Sequence, residues 1–166
     1  MKTLRLIYTP ICNRRCEGCC NKDYDLNNLP RPEHFDYEQI IITGGEPMLF
    51  VDELIGFIKA IRVVSKAKII VYTALIDSDK LTKVLKYVDG ITLTLHEKKD
   101  WEVFNDLSFT SRFPPEVYFN KSMRLNIFKE AGADLSLISP KWKVKPDMEW
   151  IKNCPVPENE VLMKFY

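Results

Sequence analysis

Short β-branched segments alternate along this chain with longer amphipathic ones, and this alternation is the feature that most limits its possible folds. Thr3–Thr9 alternates as a strand does, and residues 40–43 and Lys68–Thr73 are compact hydrophobic runs typical of buried strands. Residues 52–62 and 77–88 carry hydrophobic side chains at helical spacing, with Asp52 and Asp77 at their starts. Strands separated by helices pair in parallel, because each crossover takes about a dozen residues and covers a sheet face. We therefore predict an α/β fold with a parallel sheet.

The remaining segments continue this pattern to the C-terminus. We predict strands at 91–95 and 123–128 and helices at 98–107 and 129–132, whereas 28–36 holds at most a short helix. Segment 135–138 is predicted as a sixth strand, 148–153 as helical and 161–165 as extended. Six strand-helix units in 166 residues leave about 28 residues each, close to the minimum for such a unit. The chain is accordingly expected to be one domain, residues 1–166, without an accessory domain.

Composition and charge exclude several classes of protein. Hydrophobic residues make up 46% and charged residues 28% of the chain, enough for a sizeable core. No apolar run approaches the roughly 20 residues that a membrane helix needs, so no membrane association is expected. The formal net charge of +1 gives no electrostatic reason to expect nucleic-acid binding. Five cysteines, an odd number, and an N-terminus without a secretory pattern argue against disulfides and predict a cytoplasmic protein.

The residues with the clearest chemistry lie at the ends of the first two predicted strands. Cys12, Cys16 and Cys19 form a Cys-x3-Cys-x2-Cys run after the first strand, and a Gly-Gly-Glu-Pro run, 44–47, ends the second. Three thiolates can hold a cubane iron–sulfur cluster and leave one iron open to a further ligand. The same cysteines can also be three ligands of a structural zinc site. Candidate fourth zinc ligands are Cys20, His34, His96 and Cys154.

Together, the cysteine run and the Gly-Gly-Glu-Pro run resemble the signature of the radical S-adenosylmethionine (SAM) superfamily. This resemblance implies a partial (β/α)6 TIM-like barrel in which Cys12, Cys16 and Cys19 hold a [4Fe-4S] cluster whose open iron is chelated by SAM. It also implies one-electron reduction by a donor such as a flavodoxin or ferredoxin. Reductive cleavage of SAM would then yield methionine and a 5′-deoxyadenosyl radical. That radical would abstract hydrogen from a substrate that the sequence does not identify: a small molecule, a nucleotide or a peptide.

Candidate site residues follow from the rule that ligands of parallel α/β folds gather at the carboxyl ends of the strands. Gly44 and Gly45 allow the backbone to approach a ligand closely. The resemblance implies that this backbone and Glu46 contact the methionine amine of SAM, and that Pro47 fixes the turn. At the ends of the later strands, the resemblance implies contacts to the SAM carboxylate and ribose or to the substrate. The candidates there are Thr73, Thr94, Asn126 and Arg124.

His96 is the candidate catalytic residue. It lies at a predicted strand-to-helix junction, where an imidazole can carry a proton or bind an anion. The alternative is a capping or surface role.

The residues around the third cysteine leave the subfamily open. Many relatives have an aromatic residue before that cysteine, where this chain has Gly18, and Cys20 follows it. The loop is similar to that of the small glycyl-radical activating enzymes, especially the anaerobic ribonucleotide reductase activase. Such an enzyme acts on a backbone glycine of a partner protein. From a different class, a non-catalytic zinc-binding module also remains open.

Overall fold

The computed structural model describes residues 2–106 and 115–166, and its centre is one sheet of parallel strands. Seven strands are found in the described residues, in the order β6-β5-β4-β3-β2-β1-β7. The sheet is open, since β6 and β7 lie at opposite edges. This confirms the predicted α/β class with parallel pairing. The strands are β1 (Thr3–Thr9), β2 (Gln39–Gly44), β3 (Lys68–Thr73), β4 (Gly90–Leu95), β5 (Ser122–Phe128), β6 (Lys143–Met148) and β7 (Glu160–Lys164).

The helices lie in the crossovers between successive strands. The second helix is capped by Asp77, whose carboxylate accepts hydrogen bonds from the backbone N–H groups of Asp79 and Lys80. Asp52, in contrast, lies inside the first turn of the first helix and does not cap it. The helix predicted at 98–107 ends at Asp106, and residue 107 lies outside the described residues. The helices are α1 (Val51–Val64), α2 (Ser78–Leu85), α3 (Lys98–Asp106) and α4 (Pro115–Tyr118).

The hydrophobic core lies between one face of the sheet and the helices. Alternate residues of the central strands, such as Leu6, Ile42 and Val71, belong to the same buried cluster as Ile58 of α1 and Leu81 of α2. A fully buried side chain of this size contributes about 1.5–3 kcal/mol relative to an exposed one. The period of two in the strands and of 3.6 in the helices therefore brings together the residues whose burial stabilises the fold.

The opposite face of the sheet carries the intervening residues. Ile7, Ile41, Ile70 and Thr92 on that face are also buried. Nearer the carboxyl ends of the strands this face becomes more open and lines a cavity.

The C-terminal third departs most from expectation. Residues 135–138 are not a strand, because Leu135–Leu137 forms a 3-10 turn capped by the Asp134 carboxylate. The true sixth strand, Lys143–Met148, contains Pro146, which an edge strand tolerates. Residues 148–153 are not helical. The predicted extended segment at the end is confirmed as β7, which pairs with β1. None of the helices in the described residues is both long and apolar enough to span a bilayer.

Candidate functional site

A cavity of about 290 Å³ lies at the carboxyl ends of the strands. It is lined by residues from β1 to β5, by the loop after β1 and by residues 148–154 near the C-terminus, which we call the C-terminal strap. The predicted site residues line this cavity, with two exceptions: Arg124, and Pro47, which is buried and begins a 3-10 turn. The predicted residues found there are Cys12, Cys16, Cys19, Gly44, Gly45, Glu46, Thr73, Thr94, His96 and Asn126. Arg124 is exposed and does not line it.

The cysteine loop brings three free thiols to the cavity. Cys12 is exposed, whereas Cys16 and Cys19 are half-buried. Burial raises the pKa of the Cys16 thiol, and the nearby Cys19 and Cys12 raise it further while Arg14 lowers it. The three thiols line the same cavity.

The donor set fits a group held by three thiolates, but the ligands are not already arranged around a metal position. Among residues 2–106 and 115–166, no set of three or more His, Cys, Asp or Glu side chains has the geometry of a metal site. Thiolates are strong ligands of both iron–sulfur clusters and zinc, and they bind in the deprotonated state. Binding either group would therefore involve deprotonation and a local rearrangement of the loop.

Arg14, between the first two cysteines, ties the loop to the sheet. Its guanidinium donates to both Asp100 carboxylate oxygens, at 2.9 and 2.5 Å, and to the Ala74 carbonyl oxygen at 3.0 Å. Asp100 is only 4% exposed and also accepts from the backbone N–H groups of His96 and Glu97 at the start of α3. Burial alone would raise the pKa of Asp100, but these hydrogen bonds outweigh it and hold the pKa below its usual range.

Sequence reasoning missed this contact. The available signal was an acidic residue in the first turn of a helix that follows a strand end, combined with an arginine in the cysteine loop. Neither residue indicates its partner, because they are 86 positions apart.

Glu46 is at the centre of a hydrogen-bond network within the protein. The residue is 2% exposed, and its Oε1 accepts from Thr73 Oγ1 at 2.6 Å and from the Met48 N–H at 3.0 Å. Its Oε2 accepts from the Ala74 N–H at 2.9 Å. Burial raises the pKa of this carboxyl, and the hydrogen bonds from Thr73, Ala74 and Met48 only partly oppose that. Glu46 and Thr73 thus brace two neighbouring strand ends, and their predicted contacts with SAM stay predictions.

The glycine pair permits a close approach, and the group that approaches it in the structure is the chain itself. The predicted approach of a ligand stays a prediction. Gly44 has a φ of +129°, and a Cβ atom on it would lie 2.5 Å from the Thr9 carbonyl oxygen. A Cβ atom on Gly45 would lie 2.0 Å from the Ile11 carbonyl oxygen. The N–H groups of Gly45 and Glu46 donate to these two oxygens, at 2.6 and 2.8 Å. The glycine turn therefore positions the start of the cysteine loop.

His96 lies in an aromatic cluster at the end of β4. Its ring stacks on Trp150 of the C-terminal strap, with centroids 5.2 Å apart and planes 7° apart, and it also contacts Phe128 at 4.9 Å. Nδ1 is buried and has no hydrogen-bond partner in the described part of the chain. Burial, with a smaller effect of Arg14, lowers the pKa of the imidazole. The ring is therefore neutral near pH 7, and its predicted catalytic role stays a prediction.

Thr94 and Asn126 provide polar groups on the cavity wall. They are paired in register on β4 and β5, and both are half-buried. Their position at adjacent strand ends is the one predicted, and ligand contact by either side chain stays a prediction.

A disulfide joins Cys20 to Cys154, and it corrects the expectation that disulfides are absent. The two Cα atoms are 5.3 Å apart although the residues are 134 positions apart. An odd cysteine count is compatible with one bridge and three free thiols, so the count alone could not exclude it. The bridge covalently anchors the C-terminal strap to the residue after Cys19. This role of the strap is the largest feature of the site that sequence reasoning missed.

Comparison of the chain with protein-family models, with curated proteins and with solved structures finds no match.

Proposed function

We propose that this protein is a radical SAM enzyme whose [4Fe-4S] cluster is held by Cys12, Cys16 and Cys19. The observation that carries the proposal is that these three free thiols and the Gly44-Gly45 turn line one cavity at the carboxyl end of a parallel sheet. The three thiols remain free although the chain has a disulfide elsewhere, and the cavity beside them offers space for a ligand.

When bound, the cluster would supply the electron that cleaves SAM to methionine and a 5′-deoxyadenosyl radical for hydrogen abstraction from the substrate. The chain's own residues orient the reactants and exclude water. Arg14 holds the cysteine loop against the sheet through Asp100 and Ala74. Thr94 and Asn126 present polar groups to a bound ligand, and the neutral imidazole of His96 is able to accept a proton.

The finer architecture that we propose is a partial (β/α)6 barrel. The burial of Ile7, Ile41, Ile70 and Thr92, on the sheet face opposite the helices, supports a sheet that curls around its own side chains. A cluster with an open iron reacts with oxygen, so we also propose the reducing cytosol as its location, with a flavodoxin or ferredoxin as donor.

Anaerobic reconstitution with iron and sulfide tests the proposal. The wild-type protein is expected to bind about four irons per chain, to absorb broadly near 400 nm, and to release 5′-deoxyadenosine from SAM with dithionite. Cys16→Ala should lose the cluster, whereas Cys20→Ser, outside the three-cysteine set, should keep it. Bound zinc without iron, with no nucleoside product, would establish the zinc-binding module instead. Cluster loading that survives in Cys16→Ala would refute the ligand assignment.

A further inference from the structure

The C-terminal strap, residues 148–154, contributes to the lining of the cavity and is attached at several points. Trp150 stacks on His96 and lies 4.3 Å from Phe128, centroid to centroid. A Cβ atom on Gly18 would lie only 2.7 Å from Trp150 Cε3, so the indole rests directly on the cysteine loop. The Tyr24 hydroxyl donates to the Cys154 carbonyl oxygen at 2.7 Å, and the Cys20–Cys154 disulfide closes the far end.

The backbone has positive φ values at both ends of the strap. Asp147, just before it, has a φ of +54°, and Asn153 and Cys154 at its end have φ values of +62° and +22°. These are three of the four non-glycine residues with positive φ in the described residues. Left-handed backbone is uncommon outside glycine. At Asp147 it coincides with a register shift in the pairing of β6 with β5, and at Asn153 it lies in a turn. The strap therefore runs from a bulge in β6 to a turn before Cys154.

The cavity is small for the reaction that we propose. With the strap in place the volume is about 290 Å³, at the lower end of the roughly 300–1,000 Å³ typical of a site for one small molecule. The proposed reaction needs SAM and a substrate at the same place. That requirement rests on the proposed function. A second cavity, between the strap and residues Glu17–Asp23 of the loop region, leaves the strap without dense packing on that side.

We propose that the C-terminal strap is a redox-locked cover of this cavity. With Cys20 and Cys154 oxidised, the strap is pinned and restricts access to the thiols of the cysteine loop. A dithiol reductant donates two electrons and two protons, converting the bridge to two thiols and becoming a disulfide itself. Cys20 is exposed, so such a reductant reaches the bridge. Without the bridge, the strap is held by the pairing of Met148 with Phe128, the Lys129–Glu149 ion pair, the Tyr24 hydrogen bond and the ring contacts of Trp150. The part after Met148 then opens to admit ligands the size of small molecules.

Limited trypsin digestion of the cluster-free, air-oxidised protein tests the lock without iron or SAM. Lys152 is an exposed cleavage site within the strap, and Lys66, exposed before β3, serves as an internal control. Dithiothreitol, or the substitution Cys20→Ser, is expected to accelerate cleavage at Lys152 at least tenfold and to leave cleavage at Lys66 unchanged. Gly18→Ala displaces the indole and should accelerate cleavage at Lys152 in the reduced protein relative to reduced wild type.

A second readout measures access to the site. Cys16 and Cys19 should react with a bulky maleimide at least fivefold faster in Cys20→Ser than in oxidised wild type, as measured by peptide mass analysis. Equal rates at Lys152 with and without dithiothreitol overturn the lock, as does the absence of a linked Cys20–Cys154 peptide after air oxidation. If the lock behaves as expected but no iron binds on reconstitution, the proposed function fails and the cover stands. If iron binds on reconstitution but the lock tests fail, the cover is rejected and the proposed function stands.

Discussion

Loss of the Arg14 guanidinium should destabilise this protein far more than loss of its neighbour Arg15. Asp100 is nearly buried, and Arg14→Ala would leave it with only the two backbone N–H groups of His96 and Glu97 as partners. Breaking a buried pair by removing one partner costs about 3–5 kcal/mol. The Arg14 side chain is 22% exposed and Asp100 retains those two hydrogen bonds, which favours the lower end.

A loss of about 3 kcal/mol in the free energy of unfolding should lower Tm by about 6–12 °C, since 1 kcal/mol corresponds to about 2–4 °C in domains of this size. Arg15 is exposed, so Arg15→Ala should change the free energy of unfolding by about 0.5 kcal/mol or less. The assay is urea and thermal unfolding of the cluster-free protein, followed by circular dichroism under reducing conditions. Reduction keeps the Cys20–Cys154 bridge from masking the difference.

The double variant Arg14→Ala with Asp100→Asn separates this pair from general damage to the loop. Because the two side chains contact each other, the cycle should show a coupling of about 1–3 kcal/mol, with the second substitution costing less in the background of the first. Equal unfolding free energies for Arg14→Ala and Arg15→Ala, or strict additivity in the cycle, would refute the reasoning.

The pH dependence provides a further check on the same pair. The pKa of Asp100 is lower in the folded protein than in the unfolded chain, so its ionised form stabilises the fold. The stability advantage of wild type over Asp100→Asn should be constant well above the ordinary Asp pKa of about 3.9. It should then shrink as the pH falls below that value toward the folded-state pKa. A difference that grows on acidification contradicts the assignment.

Two further predictions concern the cover and the glycine turn. Trp150→Ala exposes the His96 ring, so the lowered pKa of that imidazole should rise toward about 6.5. NMR titration can follow the His96 signal because the chain has only two histidines. An unchanged pKa would show that Trp150 does not bury the ring. Gly45→Ala places a methyl group against the Ile11 carbonyl oxygen, so it should lower the free energy of unfolding by about 1–3 kcal/mol. Gly56 lies on a helix with open space around its Cβ position, so Gly56→Ala should raise the free energy of unfolding by about 0.4–1 kcal/mol. Equal effects of the two alanines in urea unfolding would exclude the steric explanation.

The amino-acid sequence by itself determined the α/β class, the parallel pairing and six of the seven strands in the described residues. These depend on local periodicity and on the length of each crossover, and both are visible in short windows of sequence. It also indicated where the site lies, because the cysteine loop and the glycine turn follow strand ends. It failed at 135–138 and 148–153, where a capping Asp134 and the continuation of β6 to Met148 outweigh a weak hydrophobic pattern.

The tertiary structure alone decided how the parts of the site are held together. Arg14 meets Asp100, Trp150 rests on Gly18, and Cys20 is bridged to Cys154. Each pair joins the loop after the first strand to a segment at least 86 positions away. Nothing in the local pattern of either partner specifies such a contact. The contact depends on the order of the strands in the sheet and on the path of the C-terminal segment across the strand ends. Periodicity therefore predicts where the cavity lies, and only long-range packing shows what covers it.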